Sequence, residues 1–209
     1  MRKRSTNPMA VFEVGDADLL DAAWGLDIVT GHKLASVVAL CGSLEYHMER
    51  AIWTLRGIDP KGIRPETDGK IITAMIGMVE DATKALQSDV ARQLLLTWCS
   101  ACRSGFTIRN NIAHGVPTPI GSKLIFCRNP LWHGEQRHKQ FGDFVADIDT
   151  LDMVRQSFAV LLRVIVHVEK GEAPIEAIAT QGVITAVSQA RSILGEFASQ
   201  DYNPSFEKY

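Results

Sequence analysis

The sequence has no excess of charge of either sign. It contains 22 Lys and Arg residues against 24 Asp and Glu residues, which gives a formal net charge of −2 over 209 residues. This balance excludes the electrostatic profile of a protein that coats nucleic acid non-specifically. It still allows a small phosphate site, because such a site needs only a few converging cations.

Long apolar runs are also missing. No stretch approaches the ~20 consecutive apolar residues that span a bilayer, and no apolar run of signal-peptide length follows the basic start Met-Arg-Lys-Arg. We therefore expect a cytoplasmic protein that makes no membrane contacts.

Cysteine is scarce, with only Cys41, Cys99, Cys102 and Cys127. Cys99 and Cys102 lie one helical turn apart in an apolar segment, but no second Cys or His pair stands at zinc-ligand spacing. We expect four reduced cysteines, most of them in the core. We expect neither a metal site nor a cofactor.

The remaining composition, 46% hydrophobic and 22% charged residues, is that of a globular protein. The length fits one domain with extensions at both ends. The predicted divisions are an N-terminal extension (1–31), a main domain (32–170) and a weak, peripheral helical extension (171–209). The first extension contains a short helix, capped by Asp16 or Asp18 and broken by Thr30-Gly31.

Apolar residues spaced by three and four predict the helices of the main domain. The predicted helices cover about 33–56, 67–87, 89–114 and 150–169. Gly115, followed by Pro117 and Pro119, ends the third of them. Residues 120–146 change character, and we expect Lys123–Arg128 to pair with Phe141–Val145 as a β-hairpin. The predicted fold is all-α, an antiparallel helical bundle with this small hairpin inserted before its last strong helix.

Arg109 is a charged residue within the apolar half of its helix. A guanidinium removed from water needs a partner, since an uncompensated buried charge costs several kcal/mol. Glu45 is misplaced in the same way, on the apolar stripe of the first long helix. We therefore predict that Glu45 and Arg109 form an ion pair.

His114 ends the same helix, five residues after Arg109, so their directions differ by roughly 140°. The helix dipole favours a charged imidazole at this end. A histidine that changes charge near neutral pH can act as a general acid or base.

The segment Arg109-Asn110-Asn111-Ile112-Ala113-His114, at the end of a helix in a helical bundle, resembles the signature of the HEPN superfamily (higher eukaryotes and prokaryotes nucleotide-binding domains). That signature is an Arg, four to six residues and a His, often with Asn or another polar residue directly after the Arg. The resemblance implies catalytic roles for Arg109, Asn110 and His114. Glu45 and Asn111 would be supporting residues.

The resemblance further implies a metal-independent endoribonuclease that cleaves RNA rather than DNA at a homodimer interface. Such enzymes occur in toxin–antitoxin and phage-defence systems, so an antitoxin protein is an implied partner. Other members of the superfamily are inactive and bind RNA or proteins. A purely structural bundle, in which Arg109 only forms an ion pair, also remains open.

The chain contains the same spacing a second time, from Arg128 to His133. Pro130 forbids a regular helix through this copy, so we do not expect it to be the active motif. The sequence also departs from some family members, which carry a tyrosine two residues after the histidine. Val116 stands at that position here.

Overall fold

A computed structural model of the protein describes residues 16–127 and 143–199. Within these residues the fold is mostly helical, with seven helices and one small three-stranded sheet. The helices are α1 (Ala17–Ala23), α2 (Ile28–Arg56), α3 (Ile72–Thr83), α4 (Asp89–His114), α5 (Ile148–Lys170), α6 (Ile175–Ile178) and α7 (Gln181–Phe197). The strands are β1 (Val116–Ile120), β2 (Lys123–Cys127) and β3 (Phe144–Ala146).

Local capping sets the ends of the long helices. The side chains of Asp27, Ser88 and Asp147 accept the backbone N–H groups of Thr30, Ala91 and Thr150 and begin α2, α4 and α5. Gly57 and Gly171 end α2 and α5 at φ values of 64° and 60°, which an L side chain rarely adopts. The predicted bounds of α4 are confirmed, and α5 is two residues longer at its start than expected.

The predicted break at Thr30-Gly31 is wrong, because α2 runs through both residues. Asp27 caps the helix three residues earlier. A glycine inside a helix costs only about 1 kcal/mol relative to alanine, too little to end a long helix that packs on a core. Residue 31 is therefore not a boundary between an extension and a domain. The helix predicted over 67–87 is shorter in the structure, where α3 covers only Ile72–Thr83.

The central pair of helices, α2 and α5, runs in the same direction. Lys33 pairs with Asp152 near the start of both helices, and Arg50 pairs with Glu169 near both ends. This pair contradicts the expectation of antiparallel neighbours. That expectation holds for helices joined by a short link, whereas α3, α4 and the sheet lie between α2 and α5 in the chain.

The C-terminal helix α7 belongs to the core, so the expectation of a peripheral extension is wrong. Val187, Ala190, Leu194 and Phe197 are buried on one face of α7. Gly105 lets α4 pack closely against α5 and α7. A Cβ atom at this position would lie 2.8 Å from Cζ of Phe158 and 3.4 Å from a methyl group of Leu194. This close packing requires glycine in the middle of α4, and the helix continues through it.

The sheet lies at the C-terminal end of α4 in the antiparallel order β1-β2-β3. The predicted pairing of β2 with the segment near Phe144 is confirmed, with Phe126 opposite Phe144. The third strand, β1, was not predicted, because its Pro117 and Pro119 indicated only a helix stop. Proline fits an edge strand, where its missing N–H breaks no ladder hydrogen bond, and β1 is an edge.

Candidate functional site at the end of helix α4

Gly115 allows the final turn of α4 to pack closely against the sheet. A Cβ atom at this position would lie 2.4 Å from the carbonyl oxygen of Asn111 and 2.8 Å from Cβ of Phe126. The N–H of Gly115 also donates to that carbonyl at 2.8 Å. The segment from Arg109 to His114 therefore ends at a closely packed junction between helix and strand.

The guanidinium of Arg109 is contacted on three sides. Its Nη2 donates to Oε1 of Glu45 at 2.6 Å, and its Nη1 donates to Oδ1 of Asn110 at 3.0 Å. Its central carbon lies 5.5 Å from the ring centroid of Phe106. These three side chains, Glu45, Asn110 and Phe106, form what we call the guanidinium cradle. The predicted pair of Glu45 and Arg109 is confirmed.

The cradle lies at the surface rather than deep in the core. The side chain of Arg109 is 26% exposed and that of Glu45 is 34% exposed. A guanidinium carries five N–H donors, and its contacts within residues 16–127 and 143–199, with Glu45 and Asn110, use two of them. The arrangement therefore fixes the orientation of the guanidinium and leaves donors for an incoming anion.

Phe106 was not predicted as part of the site. Its ring is buried against Phe158 and supplies the face over which the guanidinium lies. The spacing could have predicted this contact, because residues three apart on a helix are neighbours and Phe106 precedes Arg109 by three. An aromatic ring at that position supports a cation–π contact.

His114 is exposed in the last turn of α4. Among residues 16–127 and 143–199 its side chain forms no hydrogen bond or ion pair. Arg109 is turned towards α2, and the five-residue spacing separates the two directions by roughly 140° on one helix. The two side chains thus lie at the same end of α4, but the fold of one chain does not direct both at one point.

Asn110 and Asn111 differ in their surroundings. Asn110 is half-buried and contacts Arg109, whereas Asn111 is 1% exposed. A side chain as buried as that of Asn111 does not reach a substrate in this structure, so any support it gives is through the packing of the helix end.

The buried cysteines are poor nucleophiles. Burial raises the pKa of Cys41 to about 12 and also raises the pKa of Cys99 and Cys102. Their thiols are protonated at neutral pH, as expected for core cysteines. Within the described ranges, no group of three or more His, Cys, Asp or Glu side chains is placed to hold a metal ion.

A second polar cluster joins the C-terminal ends of α2 and α5. Glu169 accepts from Arg50 at 2.6 Å and contacts Nδ1 of His47, while Arg50 lies over the rings of Tyr46 and Trp53. Cationic groups are favoured at the ends of two parallel helices by the helix dipoles. This cluster therefore has a sufficient structural explanation.

The other copy of the motif spacing, Arg128 to His133, lies outside the described residues. No helix in the described parts of the chain is both long enough and apolar enough to cross a bilayer. A search of protein-family models, of curated proteins and of solved structures finds no match to this chain.

Proposed function

We propose that this protein is a metal-independent endoribonuclease of the HEPN type, in which Arg109 binds the scissile phosphate and His114 transfers a proton. The observation that carries the proposal is the guanidinium cradle. It holds a partly exposed arginine in one orientation with donors remaining, five residues before an exposed histidine on the same helix. A fixed fork of N–H donors matches the oxygens of a phosphate group.

The reaction is an internal transfer of the phosphoryl group. The ribose 2′-oxygen attacks the adjacent phosphorus while a base removes the 2′-hydroxyl proton. The new O–P bond forms as the bond to the 5′-oxygen breaks, and that oxygen takes up a proton. The products are a 2′,3′-cyclic phosphate and a 5′-hydroxyl. The guanidinium of Arg109 stabilises the charge on the phosphorane, and histidine proton transfer typically contributes ~10²–10⁴-fold in rate.

The proposal includes a homodimer, because Arg109 and His114 diverge on one helix. A twofold axis that brings the ends of two α4 helices together supplies an Arg109 and a His114 from each copy to one cleft. Such an interface is self-complementary, so a single surface patch is enough to build it. The biological setting we propose is a toxin–antitoxin or phage-defence system, with an antitoxin protein as partner.

The test is RNA cleavage in EDTA by the full chain, with the ends of the products identified. Arg109→Ala and His114→Ala should each abolish cleavage without changing the helix content. The matched controls, Arg191→Ala and His32→Ala, change exposed residues elsewhere and should retain full activity. Arg128→Ala with His133→Ala should also cleave normally. Activity that survives His114→Ala contradicts the mechanism, and cleavage by a strict monomer contradicts the shared cleft.

A second candidate is a non-catalytic RNA-binding or protein-interaction scaffold. The observation that favours it is that Glu45 already neutralises Arg109. Gel shifts at two salt concentrations separate RNA binding from a purely structural role, because binding through phosphate contacts weakens as salt rises.

A further inference from the structure

Five of the fourteen exposed large apolar side chains among the described residues lie between Asp16 and Val29. Helix α1 has no buried residue, and its Leu19 and Leu20 and the C-cap residue Trp24 are exposed. The first turn of α2 adds Ile28, which is 92% exposed, and Val29, which is 51% exposed. We call residues 16–29 the N-terminal corner.

The described residues hold this corner in place without covering it. Leu26 packs against the core, and Gly25, at φ 70°, lies against β1, where a Cβ atom would come within 3.0 Å of Pro119. A seven-residue helix gains little stability by itself in water, since helices shorter than ~12 residues are marginal in isolation. Covering its apolar side chains would contribute roughly 25 cal/mol for each Å² removed from water.

The charge of the corner limits what can cover it. Asp16, Asp18, Asp21 and Asp27 are all exposed, and residues 16–31 contain no Lys, Arg or His. The backbone N–H of Thr30 donates to Asp27 and lowers the pKa of this carboxyl group. An aspartate is already charged at neutral pH at its ordinary pKa. Like charge opposes RNA and anionic lipid at this surface. A twofold contact with a second copy would also place carboxylates against carboxylates.

We propose that the N-terminal corner is a docking surface for a protein partner that presents a cationic amphipathic segment. The apolar side chains of this segment would cover exposed apolar side chains of the corner such as Leu19 and Ile28, and its Lys or Arg side chains would pair with the exposed aspartates. A protein interface usually combines an apolar core with a polar rim, so a segment that carries both kinds of side chain suits this surface. The inference does not depend on RNA cleavage, because it uses neither Arg109 nor His114.

The experiment uses the full chain and a fluorescently labelled amphipathic peptide of Lys and Leu, about five helical turns long. Its counterpart has Glu in place of Lys. We expect the cationic peptide alone to bind, and binding should weaken with salt. Two double variants, Asp18→Lys with Asp21→Lys and Leu19→Ser with Ile28→Ser, should each raise the dissociation constant at least about tenfold, or ~1.4 kcal/mol.

Matched controls separate the corner from the rest of the surface. Glu172→Lys with Glu176→Lys makes the same change in net charge, and Val90→Ser with Leu96→Ser removes exposed apolar groups from α4. Both controls should bind the peptide as the wild type does. Equal losses in the controls, or no binding of the cationic peptide, overturn the proposal. A dimer of the wild type that Leu19→Ser with Ile28→Ser dissociates would assign the corner to a second copy instead.

Discussion

Glu45 and Arg109, 64 positions apart in the chain, are joined by a hydrogen bond of 2.6 Å between Oε1 and Nη2. Each residue interrupts the apolar stripe of its own helix, and the two interruptions meet where α2 faces the end of α4. The pair lies at the surface, with both side chains partly exposed. It therefore orients the guanidinium without removing it from solvent.

We expect Glu45→Ala to lower the free energy of unfolding by about 1 kcal/mol, because partly exposed ion pairs contribute little. A deeply buried pair would instead lose several kcal/mol when one partner is removed. Urea denaturation of Glu45→Ala, Arg109→Ala and the double variant measures the coupling between the two residues. A coupling above about 3 kcal/mol would contradict the exposed character of the pair.

Arg109→Ala should leave a slot that free guanidinium can occupy, because Glu45, Asn110 and Phe106 remain in place. Under the proposed function, guanidinium at tens of millimolar should raise the cleavage rate of Arg109→Ala at least about tenfold, or ~1.4 kcal/mol. The same salt should raise the melting temperature of Arg109→Ala relative to matched NaCl. This second measurement reports occupancy of the slot even if no RNA is cleaved.

The control for the slot is Arg109→Ala combined with Glu45→Gln. This variant keeps the shape of the site and removes the charge that attracts the cation, so it should show neither rescue nor stabilisation. Equal rescue of both variants would mean that guanidinium acts elsewhere.

Gly105→Ala should destabilise the fold by about 1–3 kcal/mol, because the added methyl group meets the ring of Phe158 at 2.8 Å. Gly42→Ala is the matched control inside α2, where a Cβ atom meets no other atom within 4 Å. It should stabilise the protein by roughly 0.5–1 kcal/mol through helix propensity. Thermal or urea unfolding of the two variants checks the opposite signs, and stabilisation by both would contradict the close packing of α4 on α5.

Glu169 should make the free energy of unfolding decrease as the pH falls into the acid range. Burial acts to raise the pKa of this carboxyl group, but contacts with His47 and Arg50 outweigh burial and lower the pKa. A lowered folded-state pKa stabilises the protein above the unfolded-state value of roughly 4.3, and this contribution disappears as pH falls through the folded-state pKa. Glu169→Gln should therefore lose about 1 kcal/mol at pH 7.

The measurement is urea unfolding of wild type and Glu169→Gln from pH 7 to pH 3. The stabilities of the two proteins should converge at the acid end of this range. A difference that stays constant with pH would show that the carboxylate charge is not the source of the stabilisation.

The helix that carries the candidate site could be predicted closely from sequence. Ser88, Asp89 and Gly115 mark its ends, and its apolar periodicity continues through Gly105. The ion pair of Glu45 with Arg109 followed from helical phase, because each charge stands where an apolar residue is expected. Capping and periodicity act within a few residues, so they can be recognised without knowing the fold.

Contacts between distant segments decided the rest. The parallel direction of α2 and α5, the burial of α7 and the edge strand with Pro117 and Pro119 all depend on partners far away in the chain. Gly31 remains helical because α2 packs on the core, which outweighs a local cost of about 1 kcal/mol. The sequence by itself determined which turns of α4 carry Arg109 and His114. Only the tertiary structure decided that the pair of Glu45 with Arg109 lies at the surface and that the histidine faces solvent, because side-chain surroundings depend on which helices pack together.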